Sequence, residues 1–172
     1  MVATLEMLSL MKTPIPIEAE KLAGWFFRLN DCLTIPNFII HEDAGIGQRT
    51  QIDIFGVHFP RRSELRTDPL EDHPVIGTLT TKPLLIIAEV KGNKTCNLNG
   101  PWVKPERKNM HRMVSAIGII PSSIVPAAAC ALYSEGFWKN EQWCITLMCI
   151  GSQPNRELQK KFPKVPHRLT LY

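Results

Sequence analysis

The sequence holds no apolar run approaching the roughly 20 residues that a membrane-spanning helix needs. It has no CxxC and no Cys/His set with zinc spacing, which excludes the common structural zinc modules. It has no GxSxG, no P-loop and no GxGxxG, and Gly45-Ile46-Gly47 is too short to cradle a phosphate. It also lacks internal repeats and low-complexity tracts. The five cysteines are an odd number, none has a convincing histidine partner, and most sit in apolar runs such as AAAC and WCITLMC. That pattern reads as free buried thiols in a reducing compartment. The first residues, MVATLEMLSLMK, hold Glu6 and are too short for a signal sequence with a cleavage site. The expectation is a cytoplasmic protein with no membrane partner.

A length of 172 residues suits one domain, and 44% hydrophobic with 21% charged residues is ordinary for a globular chain. Such a chain can bury a core without disulfides or a structural metal. The net charge of +4 conceals an uneven distribution: residues 1–90 sum to −4 and residues 91–172 to +8. An acidic half able to hold cations, joined to a basic half able to hold polyanions, suits a nucleic-acid enzyme.

Along the chain, residues 1–16 read as an N-terminal arm and 17–172 as a single domain. Leu22, Trp25, Phe26 and Leu29 recur at threes and fours and predict a helix over 17–31. NFIIHED at 37–43 and QRTQIDIFGVHF at 48–59 predict a hairpin around the turn DAGIG. Residues 60–83, with four prolines, predict a long loop. PLLIIAEVKG at 83–92 predicts a central buried strand, and 93–104 a polar loop. Pro105 opens a predicted helix over 105–118, whose apolar face is Met110, Met113, Val114 and Ile117. Residues 124–133 and 143–151 predict two more strands, 155–162 a short helix, and HRLTLY a last strand. This α-β-β-β-α-β-β order makes an α/β fold, a mixed central sheet flanked by helices.

Chemistry concentrates in two segments. Asp53 lies in the middle of an apolar strand, and Glu89 and Lys91 end the most apolar strand, two residues apart and so on one face. Burying an acid and a base there is costly unless they pair or serve a metal. Two carboxylates on neighbouring strands repel each other, and a hard divalent cation, Mg²⁺ or Mn²⁺, resolves the repulsion. Lys91 then stands where charge develops on a phosphate or near an attacking water. Weaker candidates are His41-Glu42-Asp43, which reads as a solvated turn entry, and Lys160, Lys161, Lys164 and Arg168, which read as a solvated face.

An acid in a hairpin strand, then strand–Glu–x–Lys, then a helix, resembles the PD-(D/E)xK nuclease superfamily over roughly residues 17–151. The resemblance implies a restriction-endonuclease-like core and a hydrolase, an endonuclease acting on DNA in preference to RNA, in defence or DNA processing. It implies a metal-binding site for Mg²⁺ or Mn²⁺ formed by Glu20, Asp53, Glu89 and the carbonyl of Val90, with Asp53, Glu89 and Lys91 catalytic. Glu20 matches the family's first-helix acid, followed by Ala23 and Phe26, and Glu18 is the alternative. Ile52 stands where the family often has proline. His111, flanked by Arg107, Lys108 and Arg112, occupies the helix where some members carry a Gln or basic residue; a histidine departs from that pattern. With Trp102, which could stack on a base, these residues form the expected nucleic-acid contact. The resemblance also allows a homodimer or a subunit of a larger complex. A non-catalytic nucleic-acid-binding or assembly subunit on the same fold is the alternative reading.

Overall fold

A computed structural model describes residues 18–41, 47–60, 72–77, 79, 81–98 and 100–163. The expected arm at 1–16, residues 42–46 with most of the DAGIG turn, and the HRLTLY strand lie outside these residues.

Helix α1 (Ala19–Leu29) stops at Asn30, whose N–H and side-chain amide both donate to the Phe26 carbonyl. Asp31, at φ +53°, then turns the chain into β1 (Cys32–His41). The buried residues of α1 are Ala23 and Phe27, one turn apart, whereas Trp25 and Leu29 face outward at 60% and 72% exposure. The expected apolar stripe of Leu22, Trp25, Phe26 and Leu29 is thus rotated. Apolar residues occupy almost every phase of this helix, so spacing alone does not select its buried side.

β1 pairs antiparallel with β2 (Gln48–His58) and starts five residues before the predicted strand. It lies at the sheet edge, which tolerates Pro36 within it. The short helix α2 (Pro74–Gly77) stands in the long connection, and β3 (Leu84–Thr95) follows, extending three residues past its predicted end. The predicted polar loop contains one helical turn, α3 (Gly100–Val103). The predicted helix over 105–118 is broken: a 3-10 turn spans Pro105–Arg107, Lys108 sits at φ +54°, and α4 covers Asn109–Ile117. Met110, Met113 and Val114 are its buried residues, on the expected face.

The predicted strand at 124–133 is instead a helix, α5 (Val125–Glu135). Pro126 lies in the first turn, where no N–H is required, alanines at 127–129 and 131 favour helix, and Gly136 at φ +67° closes it. Strands β4 (Phe137–Lys139) and β5 (Cys144–Gln153) and the helix α6 (Arg156–Lys161) complete the described chain. Asn155 caps α6, accepting from the N–H groups of Glu157 and Leu158.

The five strands of the described sheet lie in the order β1-β2-β3-β5-β4. β3 is antiparallel to β2 and parallel to β5, so the sheet is mixed. Residues 84–90 and 144–150 are buried without interruption, as strands covered on both faces must be. Ala23, Phe27 and Ile76 close one face over Ile54, Ile86 and Ala88. On the other face α4 and α5 bury Met110, Met113, Ala128 and Leu132 against Leu85, Ile87 and Leu147. The result is an α/β architecture with the sheet between two helical layers.

Candidate active site

The pairing of β2 with β3 runs from His58 opposite Leu84 to Ile54 opposite Ala88 and goes no further. The next residue outward on β2 is Asp53. Its Oδ2 accepts the N–H of Val90 at 2.8 Å, so the carboxylate takes the place of a lost ladder partner where the two strands part. In an antiparallel arrangement a residue's N–H and C=O point to the same side. The Val90 carbonyl therefore opens toward the same fork.

Glu89 is 3% exposed, and both of its oxygens are engaged: Oε1 by the Lys91 ammonium and Oε2 by Trp102 Nε1 at 3.0 Å. Burial pushes the Glu89 carboxyl above the ordinary glutamate range; the Asp53 charge pushes the same way, while Lys91 and Trp102 act against it. Glu20, in the first turn of α1, is also raised, first by partial desolvation and then by Asp53 and Glu18. The N-terminus of α1 reaches the end of β3: a Cβ added at Gly92 would lie 3.7 Å from that of Ala19. Glu18 is exposed and pairs with Lys21 at 3.3 Å. The Asp53 charge thus acts on Glu20, the first choice of the two candidate acids.

The fork therefore brings together Asp53, Glu89, Lys91 and the Val90 backbone, with Glu20 in electrostatic reach. Among the described residues, no group of three or more His, Cys, Asp and Glu side chains is drawn together tightly enough to enclose a metal ion. The expected three-carboxylate set is not assembled in this conformation. The donor chemistry still suits a hard cation, because a buried carboxylate and its acidic neighbour are offset by one lysine.

Trp102 corrects the sequence reading. It is 2% exposed, packs in the core and holds Glu89 through its indole N–H, so it offers no ring face to a base. Its position 11 residues beyond Lys91 carries no sequence signal for that bond. Arg107 and Lys108 are exposed, and His111 and Arg112 are half-buried. The sequence reading missed Arg49. Its guanidinium donates to the Arg107 carbonyl and, at 2.7 Å, to Asn109 Oδ1, tying β2 to the start of α4.

All five cysteines are free. Cys130 is exposed on α5, although it lies inside an apolar run; the other four are buried. No described helix is long and apolar enough to cross a membrane. No protein-family model matches the chain, and neither a curated protein nor a solved structure matches it.

Proposed function

We propose that the chain is a metal-dependent nuclease that hydrolyses DNA phosphodiester bonds, on a restriction-endonuclease-like core and in the cytoplasm. One observation carries the reading. Asp53 occupies the point where β2 and β3 separate, bonded to Val90 N–H, next to a buried Glu89 that Lys91 holds. A fold organised only for stability has little reason to keep an acid beside a desolvated acid.

In this reading Asp53, Glu89 and the Val90 carbonyl would hold Mg²⁺ or Mn²⁺, and Glu20 would be the further acid of the set. A cation bound there supplies Lewis-acid stabilisation of the phosphate and a more acidic water. Trp102 fixes the rotamer of Glu89 by its hydrogen bond. Lys91 leaves Glu89 for the scissile phosphate or the attacking water, its ammonium offering three N–H donors and no acceptor. Arg107 and Lys108, both exposed, contact the flanking backbone by charge, with the half-buried His111 and Arg112 behind them on α4.

A second reading rests on Glu89 itself, which is already satisfied by Lys91 and Trp102. That arrangement favours a non-catalytic nucleic-acid-binding or assembly subunit in which the pair is structural. Incubating the protein with plasmid, linear DNA, single strands and RNA, with Mg²⁺, Mn²⁺ or EDTA, separates the two. The nuclease requires metal-dependent cleavage that falls by roughly 10²–10³ in Lys91→Ala, the usual loss for one preorganised transition-state group. Equal turnover per folded molecule in wild type and Lys91→Ala rejects the mechanism.

A further inference from the structure

At the carboxyl ends of β3 and β5, the parallel pair of the described sheet, lies a cleft of about 620 Å³. Lys91 and Lys94 line it with the amides of Asn97, Gln153 and Asn155, and no acidic side chain among the described residues lines it. Lys91 thus faces both the carboxylate fork on its β2 side and this cleft on its β5 side.

The cleft has its own local construction. The register of β3 against β5 jumps from Lys91 opposite Gly151 to Thr95 opposite Gln153, so β3 carries two extra residues. Such bulges re-aim side chains beside functional sites. Gly151 makes the bulge possible: a Cβ there would lie 2.6 Å from the Lys94 carbonyl oxygen and 3.0 Å from the Cys96 nitrogen. Ser152 Oγ donates to the Lys94 carbonyl at 3.2 Å and Cys96 N–H to the Gln153 carbonyl at 2.8 Å, closing the floor.

We infer that this cleft is the subsite for the nucleotide adjoining the scissile phosphate, and that it admits the base of an unpaired strand. The inference rests on the nuclease reading and adds the form of the substrate. Ligands of open α/β sheets bind outside the carboxyl ends of their strands. Lys94 supplies the charge toward an anion, and Lys91 joins it when its ammonium leaves Glu89. The amides of Asn97 and Gln153 carry donors and an acceptor that match the edges of a base, while Asn155, whose oxygen caps α6, offers its NH₂ donors. A space of this volume accommodates a nucleoside-sized group, and its amides reach the pairing edge of a base only when that base is unpaired and splayed from its stack. Trp102 is buried beneath Glu89 and leaves recognition to hydrogen bonds and charge.

The test is binding without turnover. Fluorescence anisotropy in EDTA compares one labelled DNA sequence as a single strand and as a blunt hairpin duplex, with the RNA strand as a third probe. The single strand is expected to bind about tenfold more tightly than the duplex, the factor for one charged hydrogen bond. Lys94→Ala combined with Asn97→Ala changes two exposed side chains and is checked by thermal melting. It should erase that preference and lower the single-strand salt slope by about 0.7, one phosphate contact. RNA bound more tightly than DNA keeps the cleft and assigns the sugar. Duplex binding as tight as single-strand binding, or unchanged single-strand affinity in the folded double variant, overturns the inference. Cleavage that persists without a strand preference rejects the cleft alone; a strand preference without metal-dependent cleavage rejects the nuclease reading alone.

Discussion

Replacing Asp53 by Asn should stabilise the metal-free protein at neutral pH. The amide oxygen can still accept the Val90 N–H that Asp53 Oδ2 accepts at 2.8 Å, while the negative charge that raises both Glu89 and Glu20 disappears. Two unit charges 4 Å apart cost about 1 kcal/mol in bulk water and about 4 kcal/mol at an effective dielectric of 20. Lys91 already offsets part of this at Glu89. A net gain of about 1 kcal/mol is therefore expected, or roughly 2–4 °C in Tm for a chain of this size.

The pH dependence fixes the cause. Glu89 has a folded pKa raised above its unfolded value. The folded state then binds the proton more readily, and stability falls as pH rises through the interval between the two values. Asp53→Asn should flatten that fall, and its advantage should vanish in acid, where Glu89 and Glu20 are neutral. Divalent cation reverses the order at neutral pH. A ligand at 100 times its Kd stabilises wild type by about 2.7 kcal/mol, and the variant has lost a ligand. Thermal melts across pH in EDTA and with Mn²⁺ read all three effects. An Asn variant less stable than wild type in EDTA at neutral pH would show that Asp53 only caps Val90 and would refute the argument from repelling acids. Asp53→Ala is the control: it removes the acceptor too and should cost about 1–3 kcal/mol for the unpaired N–H.

Other outcomes follow from the same geometry. Trp102→Phe keeps a ring in the core and removes the donor on Glu89 Oε2, so stability should drop by about 1–3 kcal/mol at neutral pH and by less in acid; a pH-independent loss would make the effect one of packing alone. Gly151→Ala should cost about 1–3 kcal/mol by overpacking against the Lys94 carbonyl, measured by urea denaturation, and wild-type stability would contradict the tight bulge. Arg107→Ala with Lys108→Ala should weaken DNA binding and flatten its salt dependence; an unchanged slope identifies an ordinary solvated face.

The parts of the fold legible in the sequence are those that one period or one punctuating residue decides. The run from Leu84 to Val90 announces a strand covered on both faces, and the burial of α4 at Met110, Met113 and Val114 follows its spacing. The run IVPAAACALY shows no period, and Pro126 within it marks a helix start only once a helix is supposed, because a short apolar segment reads alike as buried strand or buried helix. Topology supplies the missing constraint. β3 and β5 are parallel neighbours, and joining parallel strands requires a crossover of a dozen residues or more, commonly helical. The chain after Thr95 therefore has to leave the sheet; α4 and α5 carry it to β4 at the far edge, and β4 returns it antiparallel into β5.

The site divides along the same line. Asp53, Glu89 and Lys91 stand out in sequence because charge interrupts apolar strands, an anomaly visible without coordinates. What surrounds them is not anomalous. Trp102 looks like any loop tryptophan, yet its indole N–H holds Glu89. Gly151 looks like any glycine ending a strand, yet its missing Cβ lets Lys94 and Cys96 pass within contact distance. Lys94 and Asn97 look like solvated loop residues, yet the bulge brings them to a cleft beside Lys91. Groups that bear the chemistry break a local rule and can be read from the chain. Groups that orient them obey every local rule and act through long-range contact, so a positioning shell emerges only when the strands are in register.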